Sequence, residues 1–323
     1  MADQTLTLGL LLTAWIAFYL AAKRLKLGER GWDVQPFYAL YKSTRLNDVI
    51  RRIAGLNPGF WRVLGNVGVA ASVGQVSFLT FILVKNLWNF VFRPDQASPV
   101  QPLIPGVTIS TSSLPWFLLG AGVVILTHEL GHGLMCVVEG IPVKSAAVMF
   151  AVITFGGAVE PDEEGMERAS TMSKMRVFAI GSMINLLTGL LTILVFMTFS
   201  YRMPPWLVSF FNLVYVAAIV LAAANRLPAV AALVLLAPIV ASFVRVMPGQ
   251  LLVFLNWLYF ISINLAMMNM LPIGPLDGGQ MWRTFTAGLR GGLVLQRAAT
   301  YGFVLLVLMN IGLSLATFGL VPI

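Results

Sequence analysis

Predominantly apolar runs recur along this chain, and a helix of roughly 20 such residues is what crosses a hydrocarbon core. They are Thr5–Ala22, Val63–Phe92, Leu114–Val138, Val177–Ser200, Trp206–Ala224, Pro228–Val244, Leu251–Leu271 and Gly302–Val321. Inside a bilayer no water satisfies backbone N–H and C=O groups, so each run is restricted to a helix packed among other helices. The fold class this predicts is an all-α polytopic membrane protein with about eight crossings, of which Pro228–Val244 is near the minimum length. Composition agrees: 58% of the residues are hydrophobic and 11% charged, and a soluble chain carries roughly twice that charge.

Orientation follows from the connections. Lys23, Arg24, Lys26, Arg30, Lys42, Arg45, Arg51 and Arg52 lie between the first two runs, against Glu29, Asp33 and Asp48. That loop is expected on the cytoplasmic side, while Pro94–Ser113, without Lys or Arg, belongs outside. The net charge of +8 is thus a positive-inside pattern, and no basic surface interleaved with aromatics is left for nucleic acid. Thr5–Ala22 lacks a basic leader and a small-residue cleavage site, so it reads as a retained first helix with its amino end outside. Counting onward, the third run travels inward, and the seventh delivers Asn269–Gly279 to that same inner side, followed by Arg283, Arg290 and Arg297.

The chain has only two histidines, and they sit in the inner half of the third run as His128-Glu129-Leu130-Gly131-His132. Four residues is about one helical turn, so both imidazoles share a face and can grip one Zn²⁺. Glu129 lies close beside that face, where a carboxylate can take a proton from metal-bound water. Ionisable groups at such depth are expensive and mark function. A hydrolytic zinc site needs a third protein ligand and an open position. Cys136, the single cysteine, reads as a small packing residue. The third ligand is therefore expected to be a carboxylate.

Among 13 acidic residues, Asp3, Glu29, Asp33, Asp48 and Asp95 fall away from the expected depth. Glu160, Asp162, Glu163, Glu164 and Glu167, with Arg168, Lys174 and Arg176 nearby, read as a solvated face. Glu139 ends the motif run at the interface. Asp277 differs, sitting in Asn269-Met-Leu-Pro272-Ile-Gly-Pro275-Leu276-Asp277-Gly278-Gly279, where prolines break the helix and glycines allow close approach. Its competing reading is the N-cap of a following helix. A zinc site on the same side, short of one oxygen, makes Asp277 the favoured ligand. Ala146–Val159 is too short to span; its β-branched residues ending at Gly156-Gly157 suggest a re-entrant strand or hairpin, with a short buried helix as the alternative.

Taken together, the His-Glu-Leu-Gly-His element and the later Asn-x-x-Pro-x-x-x-Leu-Asp-Gly element resemble the site-2 protease family of intramembrane zinc proteases. Ala179-Ile-Gly181-Ser-Met-Ile-Asn185 is similar to the family's Gly-x-x-x-Asn helix, although Ser182 stands where many members have proline. The acidic run before Lys174-Met-Arg176 resembles archaeal and bacterial members. The resemblance covers roughly residues 100–300. It implies regulated intramembrane proteolysis of transmembrane protein substrates, with one Zn²⁺ held by His128, His132 and Asp277 and water activated by Glu129. It also implies that Asn185 and Asn269 bind the substrate backbone or the oxyanion; interhelical hydrogen bonding is their other reading. The implied fold is a three-helix catalytic core with a small membrane-embedded β element ahead of the Asn-bearing helix.

On this reading 1–113 holds N-terminal helices and loops, and 114–200 and 251–300 form the two parts of the core. Residues 201–250 add a pair of helices, and 301–323 form a last one. No segment of these 323 residues reads as a PDZ or CBS module. Two alternatives stand beside it. One is another membrane-embedded zinc peptidase with Glu139 or Glu160 as third ligand. The other is a non-enzymatic zinc scaffold or transporter, for which several intramembrane acidic or His sites along a path would be expected.

Overall fold

The computed structural model describes residues 13, 15–42, 44–151, 154–200 and 249–322. The expected spans Trp206–Ala224 and Pro228–Val244, and half of Thr5–Ala22, lie outside these residues. The described chain is mostly helical. Residues 15–24 form α1; α2 is Thr44–Leu56, α3 Pro58–Phe92, α4 Leu114–Val138, α5 Glu163–Arg168 and α6 Thr171–Ser200. After the undescribed segment come α7 (Gly249–Met268), α8 (Asp277–Thr286) and α9 (Gly292–Phe318). Five of these are long and apolar enough to cross a membrane: Pro58–Phe92, Leu114–Val138, Thr171–Val195, Gly249–Met268 and Gly292–Phe318.

These are five of the eight expected runs, and several start earlier than hydropathy predicts. Asn57 caps α3 by accepting from the Phe60 N–H at 2.9 Å, and Pro58 sets the first turn. The helix therefore begins in the polar segment before Val63. Likewise α9 starts at Gly292, behind Gly291 at φ 78°, a left-handed conformation that glycine adopts without strain. Hydropathy counts only the apolar part of such helices, whereas capping decides where they begin.

Helices α4, α6 and α7 pack pairwise against one another. Small residues let them approach: a Cβ on Gly131 would fall 2.5 Å from Ile184 Cδ1, and one on Gly189 would fall 2.5 Å from Ile263 Cδ1. Each end of α4 is pinned. Ile109, Leu114 and Trp257 form a buried cluster at its start, with Phe117 edge-on to Trp257 at 5.1 Å. At its end Met135, Cys136 and Val138 join Ile50 and Ala54 of α2, Ile141, and Val177 and Ile180 of α6. Cys136 is fully buried in that cluster, a packing residue as expected.

Residues Ala146–Val159 form a β-hairpin, not a buried helix: β3 is Val143–Ala151 and β4 is Thr154–Pro161. The hairpin belongs to a larger sheet than expected. Two strands from the basic N-terminal loop, β1 (Trp32–Val34) and β2 (Tyr38–Lys42), extend it in the order β1-β2-β3-β4, all antiparallel. Tyr38–Lys42 pairs with Ala151–Ala147 in register. The N-terminal loop is thus built into the core by both its strands and α2. On the other side β4 lies against α4.

Candidate metal centre

His128 and His132 lie on one face of α4, as a four-residue spacing requires. Their Nε2 atoms are 3.1 Å apart. Asp277 Oδ2 lies 3.2 Å from each of them. Among the described residues these three form a group that could hold a metal ion. His128 is buried, and His132 and Asp277 are half-buried.

The fit to zinc can be tested on this triangle. Ligand atoms placed tetrahedrally at 2.0–2.1 Å from Zn²⁺ are about 3.3 Å from one another. The observed sides of 3.1, 3.2 and 3.2 Å match one face of such a tetrahedron, with its fourth corner open. Donor chemistry agrees. His132 Nδ1 lies 2.6 Å from the Val177 carbonyl, which can only accept, so Nδ1 carries a proton, and in the neutral ring Nε2 keeps the lone pair that a metal needs. A ring nitrogen this near a carboxylate oxygen requires a cation between them, a metal ion or the ring's own proton.

How Asp277 reaches the histidines follows from local sequence. After α7 the chain leaves helical geometry through Asn269–Leu276, interrupted by Pro272 and Pro275. The Gly278 N–H donates back to the Asn269 carbonyl at 2.9 Å, closing the loop. The closure demands glycine twice. A Cβ on Gly278 would fall 2.0 Å from the Met270 carbonyl oxygen, and one on Gly279 would fall 2.0 Å from that of Ile273. Leu276, without a capping side chain, is the N-cap of α8, and Asp277 is the first helical residue. The capping reading of Asp277 therefore gives way, and its carboxylate faces the histidines.

The other expected residues fall close by. Asn269 donates its amide to Asp277 Oδ2 at 2.7 Å, and the same nitrogen lies 3.1 Å from His128 Nε2. Asn185 is fully buried, its amide nitrogen 2.9 Å from His128 Nδ1. It sits behind a histidine rather than on an open surface. Glu129 is half-buried and faces β4, where a Cβ added to Gly157 would lie 3.1 Å from Glu129 Cβ.

The rival carboxylates are engaged elsewhere. Glu139, 5% exposed at its side chain, accepts from Arg176 at 3.0 and 3.2 Å and lies 3.5 Å from Arg62 Nε. Arg176 in turn donates to Asn66 Oδ1 at 2.8 Å, so Glu139 ties α4 to α3 and α6. Glu160 is exposed and accepts from Ser145 at 3.1 Å. Glu163, Glu164, Glu167 and Arg168 are exposed, as a solvated face requires. Asp162 caps α5 by accepting from the Gly165 N–H at 2.8 Å.

Sequence reasoning missed the Val177 carbonyl, because a main-chain acceptor has no residue signature. It also assigned no contact to Gly181. A Cβ there would fall 2.6 Å from His132 Nε2 and 2.7 Å from His128 Cε1, so α6 supplies empty space against both rings. The Gly-x-x-x-Asn spacing was the available signal.

Residues 116–313, more than half of the chain, match peptidase family M50. The chain belongs to peptidase family M50. This is the site-2 protease family of metalloproteases, in agreement with the resemblance read from the motifs. Among curated relatives, a "Membrane-bound transcription factor site-2 protease homolog" from Arabidopsis thaliana is 27% identical over 145 residues. That alignment covers 45% of this chain and 28% of the relative, so the M50 chain spans little more than a quarter of that relative's length. No solved structure matches the chain. With the family and its five apolar helices, the M50 chain is an integral membrane protein.

Proposed function

We propose that this M50 protein is a zinc-dependent intramembrane endopeptidase that cuts transmembrane segments of other membrane proteins. The observation that carries the reading is the triangle of His128 Nε2, His132 Nε2 and Asp277 Oδ2, sized for one zinc ion and set among apolar helices. Those three residues would hold the ion, which when bound supplies a Lewis acid to polarise the scissile carbonyl and acidify water.

The remaining chemistry belongs to the chain. Glu129, adjacent to His128, is the general base that takes a proton from the attacking water and returns it to the leaving amine. Asn269 orients Asp277 and, being half-buried, remains within reach of a substrate carbonyl. The site faces the cytoplasmic side: the basic loop carrying α2 packs on the same end of α4 as His132, and the positive-inside pattern places that loop inward. Water has its shortest route to the site from there.

A substrate helix hides its peptide bonds in its own hydrogen bonds and must unwind to be cut. β4 pairs only with β3 among the described strands, and it runs past Glu129 at Gly157. Its outer edge offers backbone groups for an unwound segment to pair with. A proline introduced in β4, at a position whose N–H points away from β3, removes one such donor. Losing one or two pairings of about 1 kcal/mol each is expected to slow cleavage roughly five- to thirtyfold. Zinc content should stay at the wild-type level, and unchanged cleavage would remove the edge from the mechanism.

The assignment as a whole is tested with purified protein in liposomes, a single-span model substrate, metal analysis and mass spectrometry of the fragments. Wild type is expected to bind one zinc per chain and to cut within the membrane segment. Asp277→Asn should lose zinc affinity by more than the roughly 10–100-fold attached to outer partners of a zinc site, and lose cleavage with it. Full zinc affinity in Asp277→Asn, or cuts only outside the membrane segment, would overturn the proposal.

A further inference from the structure

Three residues of α6 spaced four apart, Val177, Gly181 and Asn185, line the back of the histidine pair. Val177 gives its carbonyl to His132 Nδ1, Gly181 gives room, and Asn185 places its amide 2.9 Å from His128 Nδ1. The Asn185 Oδ1 atom is buried without a hydrogen-bond partner.

The protonation of the His128 ring can be deduced from its other side. Asn269 points its amide nitrogen at Asp277 Oδ2, a carboxylate that can only accept, which fixes which end of that amide is the donor. The same nitrogen faces His128 Nε2 at 3.1 Å. The Asn269 N–H calls for a lone pair at Nε2, whereas Asp277 Oδ2, 3.2 Å from the same atom, would accept a proton from it; metal binding selects the lone pair, and the neutral ring then carries its proton on Nδ1. A proton on Nδ1, buried against Asn185, needs an acceptor. A primary amide offers one at nearly the same place, since rotation by half a turn exchanges its oxygen and nitrogen.

We propose that Asn185 is a positioning residue: its Oδ1 accepts the Nδ1–H of His128 and thereby fixes the tautomer and ring direction that aim Nε2 at His132 Nε2 and Asp277 Oδ2. The inference deepens the zinc-protease reading and rests on it. It gives the two histidines matched supports from one helix, a main-chain carbonyl for His132 and a side-chain carbonyl for His128. Asn185 then acts through His128, without touching the substrate.

Because the chain has only two histidines, ¹⁵N-histidine labelling of the whole protein gives just two imidazoles to observe. His132→Gln assigns them. Metal-free wild type above the titration range of histidine is expected to show His128 protonated at Nδ1 and bare at Nε2. Asn185→Asp keeps an acceptor and should retain that pattern and wild-type zinc affinity within a few-fold, measured by chelator competition. Asn185→Leu removes it, and should move the proton toward Nε2 and weaken zinc about 10–100-fold, the range for an outer partner of a zinc ligand. A wild-type His128 protonated at Nε2, or an Asn185→Leu protein with unchanged tautomer and zinc affinity, would overturn the proposal. Should Asn185→Leu fail to fold, the wild-type and Asn185→Asp spectra decide. A protein that shows the Nδ1–H tautomer but neither binds zinc nor cleaves would refute the protease reading alone.

Discussion

Glu129→Gln is expected to lower the cleavage rate by about 10²–10⁴-fold, the usual weight of a positioned general base, while zinc content stays unchanged. The substitution keeps the size and polarity of the side chain and removes only its ability to take a proton. Three features make it clean. Glu129 is outside the triangle of His128, His132 and Asp277, so no ligand is lost. It packs through its Cβ against Gly157, a contact that glutamine reproduces. It also lies on a helix whose two ends are anchored by other residues, Trp257 at one and Arg176 with Glu139 at the other. The measurement is the turnover of a single-span substrate in liposomes, paired with metal stoichiometry on the same preparation. A variant that holds zinc and still cuts at the wild-type rate would remove Glu129 from the mechanism as the general base.

Gly181→Ala should be as severe by a different route. Its new methyl would lie 2.6 Å from His132 Nε2, 2.7 Å from His128 Cε1 and 2.8 Å from His128 Nδ1. Neither ring can swing aside cheaply, since His132 is held by the Val177 carbonyl and His128 lies against Asn185. Relief must come from moving α4 away from α6. Overpacking of this kind costs about 1–3 kcal/mol, and here it also spreads a triangle that zinc requires near 3.2 Å. The expected result is loss of high-affinity zinc and of cleavage, with the helices still formed by circular dichroism. Gly131→Ala is the matched control. Its methyl meets Ile184 Cδ1 at 2.5 Å, the free end of a flexible side chain, so zinc affinity should change only a few-fold. Equal zinc affinity in Gly181→Ala and wild type would show that α4 and α6 are not held as closely as this contact implies.

Much of the site was legible because the chain is so poor in the chemistry it uses. Two histidines four apart on an apolar helix leave little choice of metal face, and burying them in hydrocarbon has no inexpensive structural purpose. The choice of Asp277 over Glu139 was less secure from residues alone. In the structure Arg176 and Arg62 engage Glu139, Leu276 takes the N-cap position, and Asp277 lies beside the histidines. The spans were legible for a similar reason: lipid imposes one solution on an apolar run, so length and hydropathy suffice for α3, α4, α6, α7 and α9.

The sequence by itself therefore determined the helical class, the shared face of the two histidines on α4 and the broken segment that carries Asp277, because each is a local pattern or a consequence of the solvent. Tertiary structure alone decided what surrounds them. Strands Trp32–Val34 and Tyr38–Lys42 are short and carry no periodic signature; β3, more than a hundred residues away along the chain, offers its edge to Tyr38–Lys42, which in turn pairs with Trp32–Val34. The Val177 carbonyl is chemically identical to every other main-chain carbonyl until α6 brings it to His132. Asn185 is one amide among many until burial sets it against His128. In each case the deciding term is a contact between distant segments, and pairing of that kind depends on how helices and strands pack rather than on what any one residue prefers.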